Sequence, residues 1–406
     1  MLIQIAWRNV WRNKVRSLVV VIAVALGLWA GVFSDAFMQG MADQQIYSVI
    51  HTKTGHIQLN EPGFLQNHDL QLRMDHADSL TSEISAMPGV AAVSAILQQT
   101  SMASTSASSA GVMINAVDPD DQQKVSDLYT MMVAGSWFEK STRSNPIVIG
   151  QGLADKLKVK EKSRMVLTLQ TDQGEIVYGA FKVVGIFKSQ DSEYDKLTVF
   201  VRRQDLLPLI HLPETSATSL TVLLNNTEDT DAKMAELNSR YKDLQIQSWT
   251  EITPMLQMMS SAMTLTNIIF VGIILIALAF GIINTMLMAV MDRTREIGML
   301  ASIGMKPGQI FWMIMLETVF LSITGAIFGL VASILMVNWF GRSGIDLGML
   351  AEGINSVGFS TTVYPGLSTA MYAIIACMVV VIALIAGIFP ARRAISLKPA
   401  SAVRGE

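Results

Sequence analysis

Glu317 is the one acidic residue inside a long apolar run of this sequence. It lies about ten residues past Pro307, roughly 15 Å at 1.5 Å per helical residue. If the run crosses a membrane, that depth is near the bilayer midplane, where a charge is costly and usually functional. No Lys or Arg lies in the other apolar runs, whereas Asn284 sits at a comparable depth in the preceding one and could hydrogen-bond the carboxyl. Two readings stand. Glu317 is a coupling or gating contact, or it is a protonated or hydrogen-bonded packing residue. Hydrogen bonding predicts that Glu317→Gln is tolerated. The loop before this run reads Arg293-Thr-Arg295-Glu296-Ile297-Gly298-Met-Leu300-Ala301-Ser-Ile-Gly304. As a helix it puts Ile297, Leu300 and Ala301 on one face, and such a face can dock in a partner's groove. A loop that only sets membrane topology needs its arginines, but neither Glu296 nor the apolar face. Arg293, Arg295, Glu296, Ile297, Gly298 and Leu300 are therefore the candidate coupling residues. Gly325 and Gly329 form a G-x-x-x-G, which lets two membrane helices approach closely.

Other chemistries find no support. No G-x-x-x-x-G-K-[ST] phosphate cradle occurs, so nucleotide hydrolysis would have to come from a partner. Gly150-Gln151-Gly152 suggests a dinucleotide turn, but Asp155 stands at the third glycine position, where a carboxylate would repel a pyrophosphate. A tight strand-to-helix turn is the plainer reading. His51, His56, His68, His76 and His211 show no metal-ligand spacing, and no serine sits in a G-x-S-x-G elbow. The chain is expected not to be catalytic alone, with no metal site and no cofactor of its own.

The elements that must position these residues follow from composition. About half of the 406 residues are hydrophobic and 16% are charged, where a soluble chain is nearer a quarter charged. The net charge of −3 gives no argument for nucleic acid. The single cysteine, Cys377, excludes an intrachain disulfide. Four runs reach the ~20 residues a bilayer requires: Ser17 to Ser34, Thr264 to Met291, Gln309 to Trp339 and Gly366 to Ala391. Basic residues cluster before the first run (Arg8, Arg12, Lys14, Arg16), between the second and third (Arg293, Arg295, Lys306) and after the fourth (Arg392, Arg393, Lys398, Arg404). With four spans these clusters share one side, so both termini are expected in the cytoplasm. Cleavage at Ala23-Val24-Ala25 would leave too short an apolar region, so the first run reads as an uncleaved anchor.

The expected fold class is an α-helical membrane protein with four transmembrane helices plus a large mixed α/β extracytoplasmic domain. Residues 1–16 form an interfacial helix, with the Trp7–Trp11 and Arg8–Arg12 pairs each sharing a face towards headgroups, anionic lipid or a partner. The membrane helices are placed at 17–40, 263–291, 309–339 and 365–391. The outer domain takes 41–262, the coupling loop 292–308, an outer loop 340–364 and a cytoplasmic tail 392–406. Within the outer domain, Asp75 to Met87 reads as helix and Val90 to Gln98 as strand. Ser101 to Ala110 reads as a mobile loop, and Asp172-Gln173-Gly174 as a hairpin turn between Met165–Gln170 and Glu175–Phe187. A helix from about Thr250 is expected to run unbroken into the second span as a stalk.

These residues together resemble the permeases of the lipoprotein-releasing, macrolide-exporter and cell-division ABC systems, over nearly the whole chain. Ala6 to Ser17 is similar to that family's N-terminal elbow, and Arg295-Glu296-Ile297-Gly298 with Leu300 and Gly304 to its coupling helix. Glu317 matches its acidic residue in the third helix. Pro390-Ala391-Arg392-Arg393-Ala394, with Leu397, Pro399, Ala402, Arg404 and Glu406, is similar to its C-terminal signature. In the outer domain, Thr54 to Gln58, Ile149-Gly150 with Leu153-Ala154, and Phe181 to Phe187 look most similar to the lipoprotein-releasing type. The resemblance implies a bacterial inner-membrane dimer of permeases, same or related, with two copies of a separate ATPase that binds ATP and Mg. Further partners would be membrane lipid and a lipoprotein or periplasmic protein. ATP-driven closure would move the outer domains. Such a machine either extracts or exports a lipoprotein or other amphiphile, or transmits motion to an extracytoplasmic partner without transporting anything.

Overall fold

A computed structural model describes residues 2–12, 14–138, 145–350, 353 and 359–396. Leu397, Pro399, Ala402, Arg404 and Glu406 of the C-terminal pattern, and Lys398, lie outside the described residues. The chain divides into two compact units. One holds Met1–Ala42, Ser260–Asp346 and Thr362–Glu406; the other holds Asp43–Met259 and Leu347–Thr361.

The first unit is helical. Helix α1 (Leu2–Arg12) is amphipathic, and α2 begins at Lys14 and continues to Val49. Ser17 of α2 ties the two helices together, its hydroxyl donating to the Val10 carbonyl of α1. Among the described residues, four helices are long and apolar enough to cross a membrane. They are α2, α11 (Pro254–Asp292), α13 (Pro307–Ser343) and the last helix, numbered α14 below (Thr369–Ile395). One apolar core joins them, with Val24 and Leu28 from α2, Leu278 and Ile282 from α11, Ile314 and Leu321 from α13, and Val379 and Ala383 from α14.

The second unit is a mixed sheet with short helices. In chain order it runs β1 (Ile57–Asn60), α3 (Phe64–Asn67), α4 (Ala77–Ser85), β2 (Val90–Ser104), β3 (Ser109–Val117), α5 (Pro119–Val125), β4 (Met132–Gly135), β5 (Pro146–Gly150) and α6 (Gln151–Leu157). It continues β6 (Arg164–Gln170), β7 (Ile176–Phe187), α7 (Ser192–Leu197), β8 (Thr198–Arg202), α8 (Arg203–Leu206), β9 (Ser219–Leu224), α9 (Thr230–Arg240), β10 (Gln245–Ser248) and α10 (Trp249–Ile252). The strand order is β10-β1-β9-β2-β3-β8-β5-β7-β4, and β6 bridges β2 and β7. Strands β3/β8 and β5/β7 pair in parallel; the other pairs are antiparallel. Strands β5 and β9 are buried at every residue, and both are continuous apolar or small runs, as strands covered on both faces are.

Two expectations are corrected here. Ser101 to Ala110 is not a loop. Strand β2 continues to Ser104 and pairs with β3 from Ile96–Val117 through Ser104–Ser109, leaving 105–108 as the tip. The Ser/Ala composition misleads because these short side chains lie at the outer end of a hairpin. There Ala103 and Ala110 are buried, and the Thr105 side chain accepts from the Ala107 and Ser108 amides. Nor is the stalk unbroken from Thr250. Helix α10 stops at Thr253, which has φ −122° and ψ 63°, and α11 starts at Pro254. The proline ring disfavours helical backbone in the residue before it, so Ser248–Ile252 forms its own capped turn. The Asp172-Gln173-Gly174 turn does join β6 to β7, with Gly174 at φ +86°. Gly150 is a packing glycine, since a Cβ there would lie 2.2 Å from the Asp195 carbonyl oxygen.

Candidate functional site

The sequence-selected residues of the helical unit converge where α1 and α11 end and α13 begins. Between α11 and α13 lies α12 (Thr294–Ser302), a helix of nine residues. Arg293 is its N-cap, one residue beyond α11. The Arg293 guanidinium donates from Nη1 to both Glu317 oxygens, at 2.9 and 3.3 Å, and from Nη2 to the Asn9 carbonyl at 3.2 Å. Asn9 is among the last four residues of α1, whose carbonyls have no intrahelical donor. One guanidinium thus caps α1 and pairs with α13 from the end of α11. Both side chains are largely buried, Arg293 at 14% and Glu317 at 10% exposure.

This corrects the expected partner of Glu317. Asn284 is exposed. It lies two residues from each of the buried Ile282 and Met286, hence about half a turn round α11 from the packed face. The apolar runs hold no basic residue, but Arg293 folds back from just beyond one. Its contact with Arg293 places the Glu317 carboxyl within reach of an arginine side chain from the residue after α11.

Helix α12 faces the bundle with its apolar side. Ile297 and Gly298 are buried, Ile297 belongs to the bundle core, and Ala301 packs against that core. The face expected to dock is therefore occupied within the chain. The outward side presents Arg295, Glu296, Met299 and Ile303, all exposed, with Leu300 half-buried at its edge. Glu296 pairs with Arg12 at the end of α1, and both are about half exposed. A cleft of about 340 Å³ opens between these elements, lined by Asn9, Arg12, Arg293, Met299 and Glu317 among others. On α1, Trp7 makes edge-on contacts with Trp11 and with Phe320 of α13, at centroid distances of 5.9 and 5.3 Å. Trp7 thus anchors α1 on α13, with Trp11 edge-on against it and both indoles partly exposed. The Arg12–Glu296 and Arg293–Asn9 contacts were not legible in the sequence, where 284 positions separate each pair.

Further along the bundle, Gly325 and Gly329 set α13 against α2. A Cβ at Gly325 would lie 2.8 Å from the Val21 carbonyl oxygen and 2.7 Å from Val24 Cβ. One at Gly329 would lie 2.8 Å from the Ala25 oxygen.

Residues 17–240 match the family described as MacB-like periplasmic core domain, and residues 268–399 match the FtsX-like permease C-terminal family. The lipoprotein-releasing system transmembrane protein LolC of Neisseria meningitidis serogroup B is 24% identical over 365 residues, 85% of this chain and 84% of its own length. A macrolide export ATP-binding/permease protein MacB of Campylobacter jejuni is 33% identical over 134 residues, 33% of this chain and 18% of that protein. The periplasmic region of MacB from Actinobacillus actinomycetemcomitans aligns with 52% of this chain and 97% of its own length, at 12% identity and a TM-score of 0.37.

Proposed function

This chain belongs to the ABC transporter permeases that join a MacB-like periplasmic core domain to an FtsX-like membrane domain, and from that premise we propose that it is the membrane subunit through which a separate ATPase drives motion of the sheet domain. The ATPase binds ATP and Mg; this permease pairs with a second copy or a related chain. The cargo is a lipoprotein or other amphiphile taken from the inner membrane or periplasm, a reading supported by the length of the match to LolC. The observation that carries the proposal is the seating of α12. Its apolar side is fixed in the bundle, its charged side is exposed, and the residue at its N-terminus is bonded to both α1 and α13. A push on α12 therefore reaches two further helices through one guanidinium.

Glu296→Lys tests the contact. The Arg12–Glu296 pair is half exposed, and such pairs contribute ~0–1 kcal/mol, so the variant should reach the membrane at normal levels. ATP hydrolysis stimulated by the complex should nonetheless fall several-fold, and Arg295→Glu should do the same. Unchanged stimulation in both variants would reduce α12 to a topology signal. A lipid or lipoprotein co-purifying between two permeases would support transport. A stable periplasmic hydrolase in its place would favour mechanical transmission.

The orientation has its own test. The three basic clusters put both termini and Lys306 in the cytoplasm and the sheet domain in the periplasm. A cysteine at Ala107, in the exposed tip between β2 and β3, should react with an impermeant maleimide in intact cells whose outer membrane has been made leaky. Reaction only after the inner membrane is broken would reverse the topology.

A further inference from the structure

Asp35 ends the first apolar run, nineteen residues after Arg16 and about 28 Å along α2. In the fold it does not face water: it is 7% exposed, against α11. There Asn267 Nδ2 donates to Asp35 Oδ1. The other two oxygens of the pair, Asp35 Oδ2 and Asn267 Oδ1, are both buried and both without a hydrogen-bond partner among the described residues. Each is bonded to the same carbon as an atom of the existing hydrogen bond, so the two orphan oxygens flank one contact. An ionised carboxylate only accepts hydrogen bonds, and an amide oxygen only accepts. As a carboxylate the pair therefore leaves two buried acceptors without donors, each unmet group costing the full desolvation penalty.

Among the described residues, no cation on the packed elements answers this. Helix α11 carries no charged residue between Pro254 and Met291, and α14 none before Arg392. At this end of α13 the sole charge is Arg342, which is exposed, and Asp346 follows the helix. On α2 the next ionisable residue is Asp43, eight positions on. A single proton on Asp35 Oδ2 would turn one of the two orphan acceptors into a donor, and Asn267 Oδ1 is the acceptor left unmet beside the existing contact.

We propose that Asp35 is a proton-binding site: its carboxyl is held protonated and, with Asn267, forms a neutral clasp joining α2 to α11. It needs no nucleotide and no partner chain, so it stands or falls apart from the coupling proposal.

The full-length permease in lipid bilayers, wild type and Asp35→Asn, decides it. Infrared spectra at neutral pH should show a protonated-carboxyl stretching band in the wild type that is absent from the variant. Glu317 does not confuse the reading, because the difference is taken at Asp35 alone. Asn in place of Asp35 can still give and take one hydrogen bond, so the thermal midpoint should match the wild type. No band difference, or an Asp35→Asn protein that melts well below wild type or does not fold, would overturn the proposal. So would a wild-type midpoint that rises with sodium or potassium in the absence of the carboxyl band, since the two oxygens would then be holding a metal cation.

Discussion

Glu317→Ala, with Arg293 left in place, is expected to destabilise the helical unit by ~3–5 kcal/mol, the range for removing one partner of a buried ion pair. The loss comes less from the missing attraction than from the guanidinium that remains. Arg293 is 14% exposed and its other contact, the Asn9 carbonyl, carries no charge to balance it. Glu317→Gln should fail nearly as badly, because it restores the shape and one acceptor but not the countercharge. That reverses the expectation from the sequence, where Asn284 stood as the partner and Gln appeared tolerable. Arg293→Ala should cost as much, since it also leaves the Asn9 carbonyl without its donor. The double variant Arg293→Ala with Glu317→Ala should be less destabilised than the sum of the two singles, both charges having gone. Thermal midpoints of the four proteins in lipid bicelles give the coupling energy directly. Additive losses would mean that the pair contributes nothing. If the motion proposed for α12 passes through this guanidinium, the double variant should fold and still show reduced ATP-driven activity.

The second large effect is expected at the α2–α13 contact. At Gly325 the nearest atoms are Val24 Cβ and the Val21 carbonyl oxygen, and at Gly329 the Ala25 carbonyl oxygen, none of which can swing aside as the far end of a side chain does. Alanine at either position must push the two helices apart, and overpacking of this kind costs ~1–3 kcal/mol. Leucine should cost more and prevent assembly of the bundle, read as loss of folded protein in detergent. Gly272 and Gly281 on α11 serve as controls within the same unit, since a Cβ there meets nothing within 4 Å. Leucine at those two positions should leave the folded fraction unchanged. Equal losses at all four glycines would show that the effect is one of helix propensity in general and not of close approach.

The sequence by itself determined the architecture: four long apolar runs, a polar mixed domain between the first two, and a short charged helix between the second and third. These are properties of single segments, because bilayer thickness fixes the length of a span and side-chain period fixes helix or strand. The β6–β7 hairpin was legible for the same reason, its turn residues demanding a local conformation that only glycine adopts freely. The family resemblance was legible because its motifs are also local. Partners were not. Arg293 reaches Glu317 through the way α11, α12 and α13 pack, which no spacing encodes. Ile297 and Ala301 make an apolar face in the sequence, but only the tertiary structure decides whether that face meets a partner or its own bundle, and it meets the bundle. The Ser101–Ala110 segment was misread because small polar residues carry weak strand preference alone and become strand by pairing with β3. Asp35 looked like the end of a span, and only the approach of α11, 232 positions away, made it a buried acid with an amide beside it. Periodicity and length are written along one chain, whereas a hydrogen bond between helices depends on the rotation and offset of both.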